Sequence, residues 1–418
     1  MQFDAWDLCS LMMSRVNIIR HLNLKDGVKS YLKNEWLNLL YLSTLRSSTG
    51  KALLCLRPWE HFEVDALGNV FVCCPAFLPK SIGNLYTHTT EEVWNSRSAR
   101  AIRKSILKGS FKYCRRYCPI FQLNPLPTYD DVSATLEKGT PSTYGFLRLK
   151  PLPAYDDISA PSEKGTPSTY GIELKKGPTH LNISYDPTCN LHCYSCRKRV
   201  KTLTREEQNR SRSLQDKVIE ESFLKNLRTL RIAGQGDPFA SRLYRELLQE
   251  FDFSIFPQLK LLLLTNGLLL TPEMWMSLHK SSQNSIFEIA ISVDAVNQQT
   301  YHLLRRGGDF DQLMRNLKFI SELRKNGSIG RFILNFVVQK ANYNEMKSFV
   351  ELGKNLGCDQ IYFAPIRNWG TYTRREFSEV AVHKKIHPDH KKLLKCLSDP
   401  IFKDPIVSSS HIQMLQWG

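Results

Sequence analysis

Residues 180–197 read HLNISYDPTCNLHCYSCR. The run 180–186 alternates polar and apolar side chains, which predicts a β-strand. The loop that follows it holds three cysteines in C-x3-C-x2-C spacing, namely Cys189, Cys193 and Cys196. A 4Fe–4S cluster takes four thiolates, so three clustered cysteines without a fourth leave one iron open to another ligand. The spacing therefore favours an iron–sulfur cluster with an open coordination position.

Zinc binding and plain burial are the competing interpretations of these cysteines. Zinc motifs are usually paired C-x2-C units or contain histidines at fixed spacing, and only His192 lies inside this loop. Cysteine is also a common buried residue without any chemistry. The spacing, together with a position directly after a strand, favours the cluster over both.

Beyond this loop, short apolar runs alternate with longer amphipathic runs. Runs typical of strands are 229–234, 259–267, 287–295, 331–339 and 359–366. With 180–186 they make six strands, and the runs between them, such as 213–227, predict five helical segments. This alternation implies right-handed crossovers and a parallel sheet. We predict an α/β fold built on a partial (β/α)6 TIM-like barrel, whose active-site loops follow the carboxyl ends of the strands.

Length and composition limit the class of protein. The chain has 418 residues, which suits two or three domains, and 42% of them are apolar, so it can bury a core. Lys and Arg number 57 against 40 Asp and Glu, and the net charge of +17 attracts polyanions or acidic peptides. We see neither a membrane span nor a secretory signal, and expect a cytoplasmic protein with no membrane partner.

A duplicated segment separates two cysteine-containing regions. Residues 125–145 recur at 151–171, and the two copies are identical at 17 of 21 positions. Two copies rich in Pro, Gly, Ser and Thr are too few for a repeat fold. They predict a flexible linker or a surface arm at a domain boundary.

The cysteine loop in its strand context resembles the radical SAM (S-adenosylmethionine) enzymes, over about residues 178–370. The resemblance implies that the three cysteines bind a 4Fe–4S cluster and that SAM chelates the open iron through its amino and carboxylate groups. It implies reductive cleavage of SAM to a 5′-deoxyadenosyl radical, which abstracts a hydrogen from the substrate. Tyr194 matches the position where the family often has an aromatic residue beside the adenine.

Residues at later strand ends extend the resemblance. Gly234, Gln235 and Gly236 look like the family's Gly-Gly-Glu-Pro segment, which holds the SAM amino group, although they also read as a plain glycine-rich turn. Ser292 and Asp294 point to one face of the fourth strand and resemble the pair that contacts the SAM ribose or carboxylate.

Three further polar residues complete the expected SAM site. Arg305 lies where the family often places a guanidinium for the SAM carboxylate, and Arg306 is its alternative. Asn335 and Gln339 share a face of the fifth strand and could reach the ribose or form a structural pair. The turn 265–267, which reads Thr-Asn-Gly, is assigned no chemistry.

The cysteines in the first third of the chain resemble a different module. Cys55-x12-Gly68-x4-Cys73 and Cys114-x3-Cys118 are similar to the SPASM and twitch extensions of peptide-modifying radical SAM enzymes. The resemblance implies one auxiliary 4Fe–4S cluster on these four cysteines, with Cys74 as a possible exchange ligand and zinc as the alternative metal. The extension usually follows the barrel, whereas here it precedes it.

These patterns divide the chain into five expected units. They are an N-terminal helical segment at 1–54, a SPASM/twitch-like α+β auxiliary iron–sulfur domain at 55–123, the linker at 124–176, the barrel at 177–370 and a basic C-terminal segment at 371–418. In the last unit, His383, His387 and His390 are expected to be solvated because Pro388 interrupts a helix that could present them together.

The expected function is radical modification of a ribosomally synthesised precursor peptide, by crosslinking, epimerisation or splicease-type backbone excision. The expected partners are an acidic precursor peptide, bound directly or through a separate leader-recognition protein, and an electron donor such as flavodoxin or ferredoxin. Cys358 and Cys396 are candidate hydrogen donors to a substrate radical. The alternatives are RNA modification, suggested by the basic run 197–212, sulfatase-maturase-like protein oxidation, and a non-catalytic cluster protein; we expect no nucleic acid partner.

Overall fold

The structure is a computed structural model that describes residues 55–115, 118, 171–232, 234–408, 412 and 415. The predicted segment 1–54 and most of the predicted linker 124–176 lie outside these residues. No helix within the described ranges is long and apolar enough to cross a membrane.

One sheet connects the nine strands found among the described residues. They are β1 (His61–Asp65), β2 (Asn69–Phe71), β3 (Gly83–Asn84), β4 (His180–Ser184), β5 (Thr229–Ile232), β6 (Lys260–Thr265), β7 (Ile286–Ser292), β8 (Arg331–Val338) and β9 (Gln360–Pro365). Their order in the sheet is β3-β2-β1-β4-β5-β6-β7-β8-β9. Strands β4 to β9 are parallel and lie side by side in chain order. The predicted α/β fold with six parallel barrel strands is confirmed.

Helices connect the parallel strands, and further helices lie before β4 and after β9. In the described ranges they are α1 (Arg57–Glu60), α2 (Thr90–Trp94), α3 (Arg97–Leu107), α4 (Arg205–Val218), α5 (Glu221–Leu224), α6 (Arg242–Glu250), α7 (Pro272–Ser277), α8 (Lys280–Ser285), α9 (Gln298–Leu304), α10 (Phe310–Lys325), α11 (Met346–Asn355), α12 (Arg374–Val380) and α13 (His390–Leu397). Short 3-10 turns cover Phe253–Ile255, Tyr343–Glu345 and Pro400–Lys403.

Local sequence signals explain where these elements begin. The helix predicted over 213–227 instead begins at Arg205, because Thr204 and Glu207 form a capping box that satisfies the first backbone N–H groups. It ends at Val218, and the short α5 follows. The capping-box residues, considered together with the apolar pattern, would have predicted that the helix begins at Arg205.

The N-terminal domain extends the barrel sheet directly. Strand β1 pairs with β4 in parallel over five residues, and β2 returns antiparallel to β1 through the hairpin that contains Gly68. At the far end of the sheet, the Arg367 guanidinium beyond β9 lies 5.0 Å from the Phe77 ring centre. The auxiliary domain is therefore fixed to the first barrel strand by backbone hydrogen bonds, and it also contacts the end of the last strand.

The end of the predicted linker is packed against this domain. Leu174 exchanges hydrogen bonds with the Asn95 side chain at 2.8 and 2.9 Å, and the Trp94 indole donates to the Lys176 carbonyl at 3.0 Å. Residues 171–176 thus belong structurally to the N-terminal domain. Composition predicts a linker here but does not show which backbone groups find partners.

Arg103 on α3 joins these pieces. Its guanidinium is fully buried and donates to the carbonyls of Pro58, Trp94 and Ile172 at 2.9 to 3.1 Å, while its Cζ lies 4.5 Å from the Trp94 ring centre. Burial lowers its pKa to about 10. One side chain therefore satisfies three separate backbone acceptors.

Replacing Arg103 by Met should lower the free energy of unfolding by about 3 kcal/mol, because buried carbonyls lose their donors. Urea denaturation of the anaerobically purified protein measures the change. Lys104→Met, at an exposed position of the same helix, is the matched control and should change little. Equal destabilisation by both variants would contradict the assigned role.

The C-terminal segment packs on the barrel. His383, His387 and His390 are buried, so the expectation that they are solvated is wrong. His387 donates through Nε2 to the Glu379 carbonyl at 3.0 Å, and burial lowers the pKa of His383 to about 3. The chain forms turns around Pro388, between the end of α12 at Val380 and the start of α13 at His390, and their packing covers the imidazoles, which local sequence does not reveal.

Candidate active site

The cysteine loop after β4 lies at the carboxyl edge of the parallel strands. The N–H groups of Cys196 and Arg197 both donate to the Cys193 carbonyl, at 2.8 and 2.9 Å, and form a tight turn. The Cys189 N–H donates to the Lys201 carbonyl at 3.1 Å and closes the base of the loop. Cys193 is buried, Cys189 half-buried and Cys196 exposed.

Each of the three thiols accepts a hydrogen bond. The donors are Leu191 N and Asn266 Nδ2 to Cys189 at 3.5 and 3.9 Å, Arg305 Nη1 to Cys193 at 3.8 Å, and Arg197 Nη2 to Cys196 at 3.6 Å. Burial raises the pKa of Cys189 to about 11 and also raises the pKa of Cys193, against the opposing charge of Arg305. Thiolates here need a compensating cation, so this donor set fits an iron cluster.

The glycine-rich segment after β5 packs on the cysteine loop. A Cβ on Gly236 would lie 2.5 Å from the Asp186 carbonyl oxygen, and one on Gly234 would lie 2.2 Å from Ser184 Oγ. Arg197 donates to the carbonyl of Gln235. The glycines are therefore required for close backbone approach, whatever else the segment binds.

Two polar atoms beside this segment have no hydrogen-bond partner among the described residues. They are Ser184 Oγ and Asn182 Oδ1, both buried on the strand face opposite the helices. The sequence analysis overlooks both residues. Their alternation with Leu181 and Ile183, which pack in the helix-covered core, is the signal that could have found them.

Asp237 organises two further loops and was not singled out from sequence. Its buried carboxylate accepts from Thr265 Oγ1 at 2.7 Å and from the Asn266 N–H at 2.8 Å. Asn266 in turn donates to Asn190 Oδ1 at 2.8 Å and reaches Cys189. The turn 265–267, assigned no chemistry above, therefore positions the cysteine loop.

Asp294 and Arg305 contact each other. The Asp294 carboxylate lies 2.7 Å from Arg305 Nη2, and its other oxygen accepts from the Val337 N–H at 2.7 Å. Asp294 adopts a left-handed backbone with φ of 67°, a conformation that is unfavourable for a non-glycine residue. The predicted residues Ser292 and Asn335 are in-register neighbours on β7 and β8.

Four cysteines of the N-terminal domain meet around one cavity. Cys55, Cys73, Cys114 and Cys118 line it, together with apolar residues that include Phe77 and Ile106. Burial raises the pKa of Cys73 and Cys114 well above that of an ordinary thiol, and repulsion from the neighbouring thiols adds a smaller increase. None of the described cysteines forms a disulfide.

The four cysteines around this cavity suit an iron–sulfur cluster better than they suit a metal-free state. Thiolates crowded in an apolar cavity repel each other, so they require iron to offset their charge. No group of three or more His, Cys, Asp or Glu in the described ranges is arranged around a single metal ion. A cubane 4Fe–4S cluster requires a wider arrangement, in which the cysteines surround four irons and each iron binds one thiolate. Cys74 is exposed and does not line the cavity.

Two sequence models of protein families match the chain. The model of the radical SAM superfamily matches residues 183–353, and SPASM, an iron–sulfur cluster-binding domain, matches residues 55–119. The chain therefore contains a radical SAM domain at 183–353. The SPASM domain precedes the radical SAM domain in this chain. The two domains imply a SAM-binding 4Fe–4S cluster, an auxiliary cluster and SAM as cofactors.

Known proteins resemble parts of this chain. GTP 3′,8-cyclase of Petrotoga mobilis is 28% identical over 217 residues, covering 49% of this chain and 64% of the relative. A probable GTP 3′,8-cyclase of Saccharolobus islandicus is 24% identical over 192 residues, covering 46% and 58%. The chain thus spans less than two thirds of these cyclases. The crystal structure of Streptococcus suis SuiB bound to precursor peptide SuiA is 15% identical, with a TM-score of 0.39, and the match covers 71% of this chain and 66% of SuiB.

In the radical SAM domain, Tyr194 is held by the C-terminal segment. Its hydroxyl donates to Glu376 at 3.1 Å, and its ring meets Tyr372 edge-on at 4.9 Å. The Arg306 guanidinium lies 4.8 Å from the centre of the same ring. Arg306 therefore stacks on Tyr194, while Arg305 faces Asp294.

Gln339 lies just beyond β8 and is buried. Its N–H donates to Asn342 Oδ1 at 2.8 Å, and the Asn342 amide donates to the carbonyls of Asp294 and Val337 at 2.8 and 3.0 Å. Asn342 is fully buried and was not predicted. It joins the ends of β7 and β8 and so fixes the backbone around Asp294.

The two single cysteines lie apart from the cysteine loop. Cys358 is buried just before the amino end of β9, whereas the three clustered cysteines follow the carboxyl end of β4. Burial raises the pKa of its thiol to about 12. Cys396 on α13 donates to the Tyr343 carbonyl at 3.6 Å. The position of Cys358, at the opposite edge of the sheet, does not support a hydrogen-donor role.

Proposed function

We propose that this protein is a radical SAM enzyme that modifies a ribosomally synthesised precursor peptide. The observation that carries the proposal is the four-cysteine cavity in a SPASM domain that shares one sheet with the barrel. When bound, the cluster and SAM supply a 5′-deoxyadenosyl radical for hydrogen abstraction. The chain's own residues hold these groups, orient them and shape the surface that meets the substrate.

Seven cysteines hold the clusters in this proposal. Cys189, Cys193 and Cys196 bind the SAM-cleaving cluster, and their N–H donors orient the thiolates. The auxiliary cluster binds in the apolar cavity described above, and its four ligands are Cys55, Cys73, Cys114 and Cys118.

The remaining predicted residues are proposed to surround SAM. Gly234, Gln235 and Gly236 offer backbone groups at the edge of the cysteine loop. Ser292, Asn335 and Gln339 lie at the neighbouring ends of β7 and β8, where hydroxyl and amide groups suit a ribose. Tyr194 presents an aromatic ring for the adenine.

The net charge of +17 supports an acidic substrate, whereas charge on the interior sheet face is balanced. Glu288 on β7 is buried between Arg231 on β5, at 3.1 Å, and Arg331 on β8, at 3.0 Å. Arg231 alternates with Leu230 and Ile232, which pack in the helix-covered core, so it faces the other side of the sheet. Glu63 on β1 lies in the same row of the sheet, so the two guanidiniums on this face are matched by two carboxylates, and the charge that favours an acidic substrate is the net charge of the whole chain.

Chemistry on a nucleotide or RNA is the second candidate, because the curated relatives are named GTP 3′,8-cyclases and the run 197–212 is basic. Sulfatase-maturase-like side-chain oxidation remains within the peptide proposal as a reaction type. Among the residues considered as hydrogen donors, Cys396 stays a proposal.

The test is a direct substrate comparison. Anaerobically reconstituted protein is incubated with SAM, dithionite and one substrate at a time: a short peptide encoded beside the gene, GTP, or total tRNA. Mass spectrometry should find a changed peptide mass and 5′-deoxyadenosine formed in proportion. Stoichiometric turnover with GTP or tRNA, with the peptide unchanged, would overturn the peptide assignment.

A further inference from the structure

The Arg305 guanidinium lies between a predicted cluster ligand and a buried carboxylate. Its Nη1 donates to Cys193 Sγ at 3.8 Å, and its Nη2 lies 2.7 Å from the Asp294 carboxylate. Only 11% of the Arg305 side chain and 4% of the Asp294 side chain are exposed. Both terminal nitrogens therefore have protein partners, and the buried Nε is the guanidinium nitrogen without one among the described residues.

The carboxylate that orients Arg305 is itself rigidly fixed. Asp294 accepts from the Val337 N–H at 2.7 Å, and its own carbonyl accepts from the Asn342 amide at 2.8 Å. Its left-handed backbone, with φ of 67°, persists only because these contacts hold it. A chain of buried contacts thus runs from the end of β8 through Asp294 and Arg305 to Cys193.

Hydrogen bonds to cluster sulfurs are a known determinant of reduction potential. A donor carrying positive charge stabilises the reduced cluster more than the oxidised one, because reduction adds negative charge to the iron and its thiolates. Cys189 accepts from two neutral donors, the Leu191 N–H at 3.5 Å and the Asn266 amide at 3.9 Å, and Cys196 accepts an exposed contact from the Arg197 guanidinium at 3.6 Å. Arg305 is the buried cation among these donors, so its effect is the least screened by water.

We propose that Arg305 is a positioning residue that, held by Asp294, donates to the Cys193 thiolate and raises the reduction potential of the SAM-cleaving cluster. The proposal rests on the assignment of that cluster to the loop after β4. It is independent of the substrate, because the potential is a property of the loaded protein before any peptide binds.

The test is potentiometric titration followed by EPR, on full-length protein reconstituted anaerobically. To isolate the SAM-cleaving cluster, each variant is also prepared with Cys73→Ala. Arg305→Gln should shift the midpoint potential to a more negative value, and Arg305→Lys, which keeps the charge, should recover part of the shift. Arg306→Gln, one residue away and stacked on Tyr194, is the control and should leave the potential unchanged.

SAM affinity, measured by equilibrium dialysis, provides the second readout. An unchanged potential in Arg305→Gln and Arg305→Lys, with SAM binding weakened at least about tenfold, would assign the guanidinium to the SAM carboxylate and overturn the proposal. If Arg305→Gln binds no cluster, the neutral variant Arg305→Met decides: a native potential in that variant also overturns the proposal. If the wild-type protein holds no cluster on the loop after β4, the proposed cluster site is refuted instead.

Discussion

Cys193→Ala should reduce the formation of 5′-deoxyadenosine from SAM to the level of a protein-free control. Cys193 is the buried member of the three clustered cysteines, and the loop around it provides no second thiol to replace it. Without this thiolate the cluster keeps two protein ligands, which is too few to hold it with one iron reserved for SAM. Chromatographic measurement of 5′-deoxyadenosine and methionine under dithionite reports the loss.

Ser195→Ala is the matched control for this experiment. Ser195 lies in the same loop, between Tyr194 and Cys196, and its substitution removes an oxygen without touching a thiol. It should retain SAM cleavage within about threefold, as expected of a partly exposed substitution. Undiminished cleavage by Cys193→Ala would remove the basis for placing the reaction at this loop.

Cys73→Ala should remove one of two clusters, so that iron per chain falls from about eight atoms to about four. The auxiliary cavity is closed by apolar side chains, and the structure places its four thiols around one space. Colorimetric iron and sulfide analysis of anaerobically purified protein measures the loss. SAM cleavage itself should persist, because the loop after β4 is unaltered.

Cys74→Ala tests the alternative ligand. Cys74 is adjacent in sequence but exposed and outside the cavity lining, so its substitution should leave the iron content near eight per chain. The opposite pattern, with iron lost from Cys74→Ala and kept by Cys73→Ala, would mean that Cys74 is the ligand. Zinc in place of iron in both proteins would refute the auxiliary cluster.

The order of the domains has a structural consequence. In this chain the SPASM domain contributes β1 to the edge of the first barrel strand, and its Phe77 lies against Arg367 beyond the last strand. The two cysteine sites are therefore held by one hydrogen-bonded sheet. A peptide that reaches both sites would meet a surface of nearly fixed geometry, which favours positioning over large domain closure.

Much of the site could be predicted because its signals are local. The three-cysteine spacing, the glycines after β5 and the cysteine pairs of the SPASM domain are each contained in a short stretch. Partners distant in sequence could not be predicted. Asn266 reads as an ordinary turn residue, yet its amide reaches Cys189, and Asn342 gives no sequence signal although it joins β7 to β8.

The sequence by itself determined the chemistry and the fold class: thiol spacing specifies the kind of metal centre, and alternating strands and helices specify a parallel barrel. Tertiary structure alone decided that β1 joins β4, that residues 171–176 pack on the SPASM domain, and that Arg305 turns to Asp294 and Cys193. The physical reason is that strand register and burial choose hydrogen-bond partners among many chemically equivalent groups. Composition and spacing cannot make that choice.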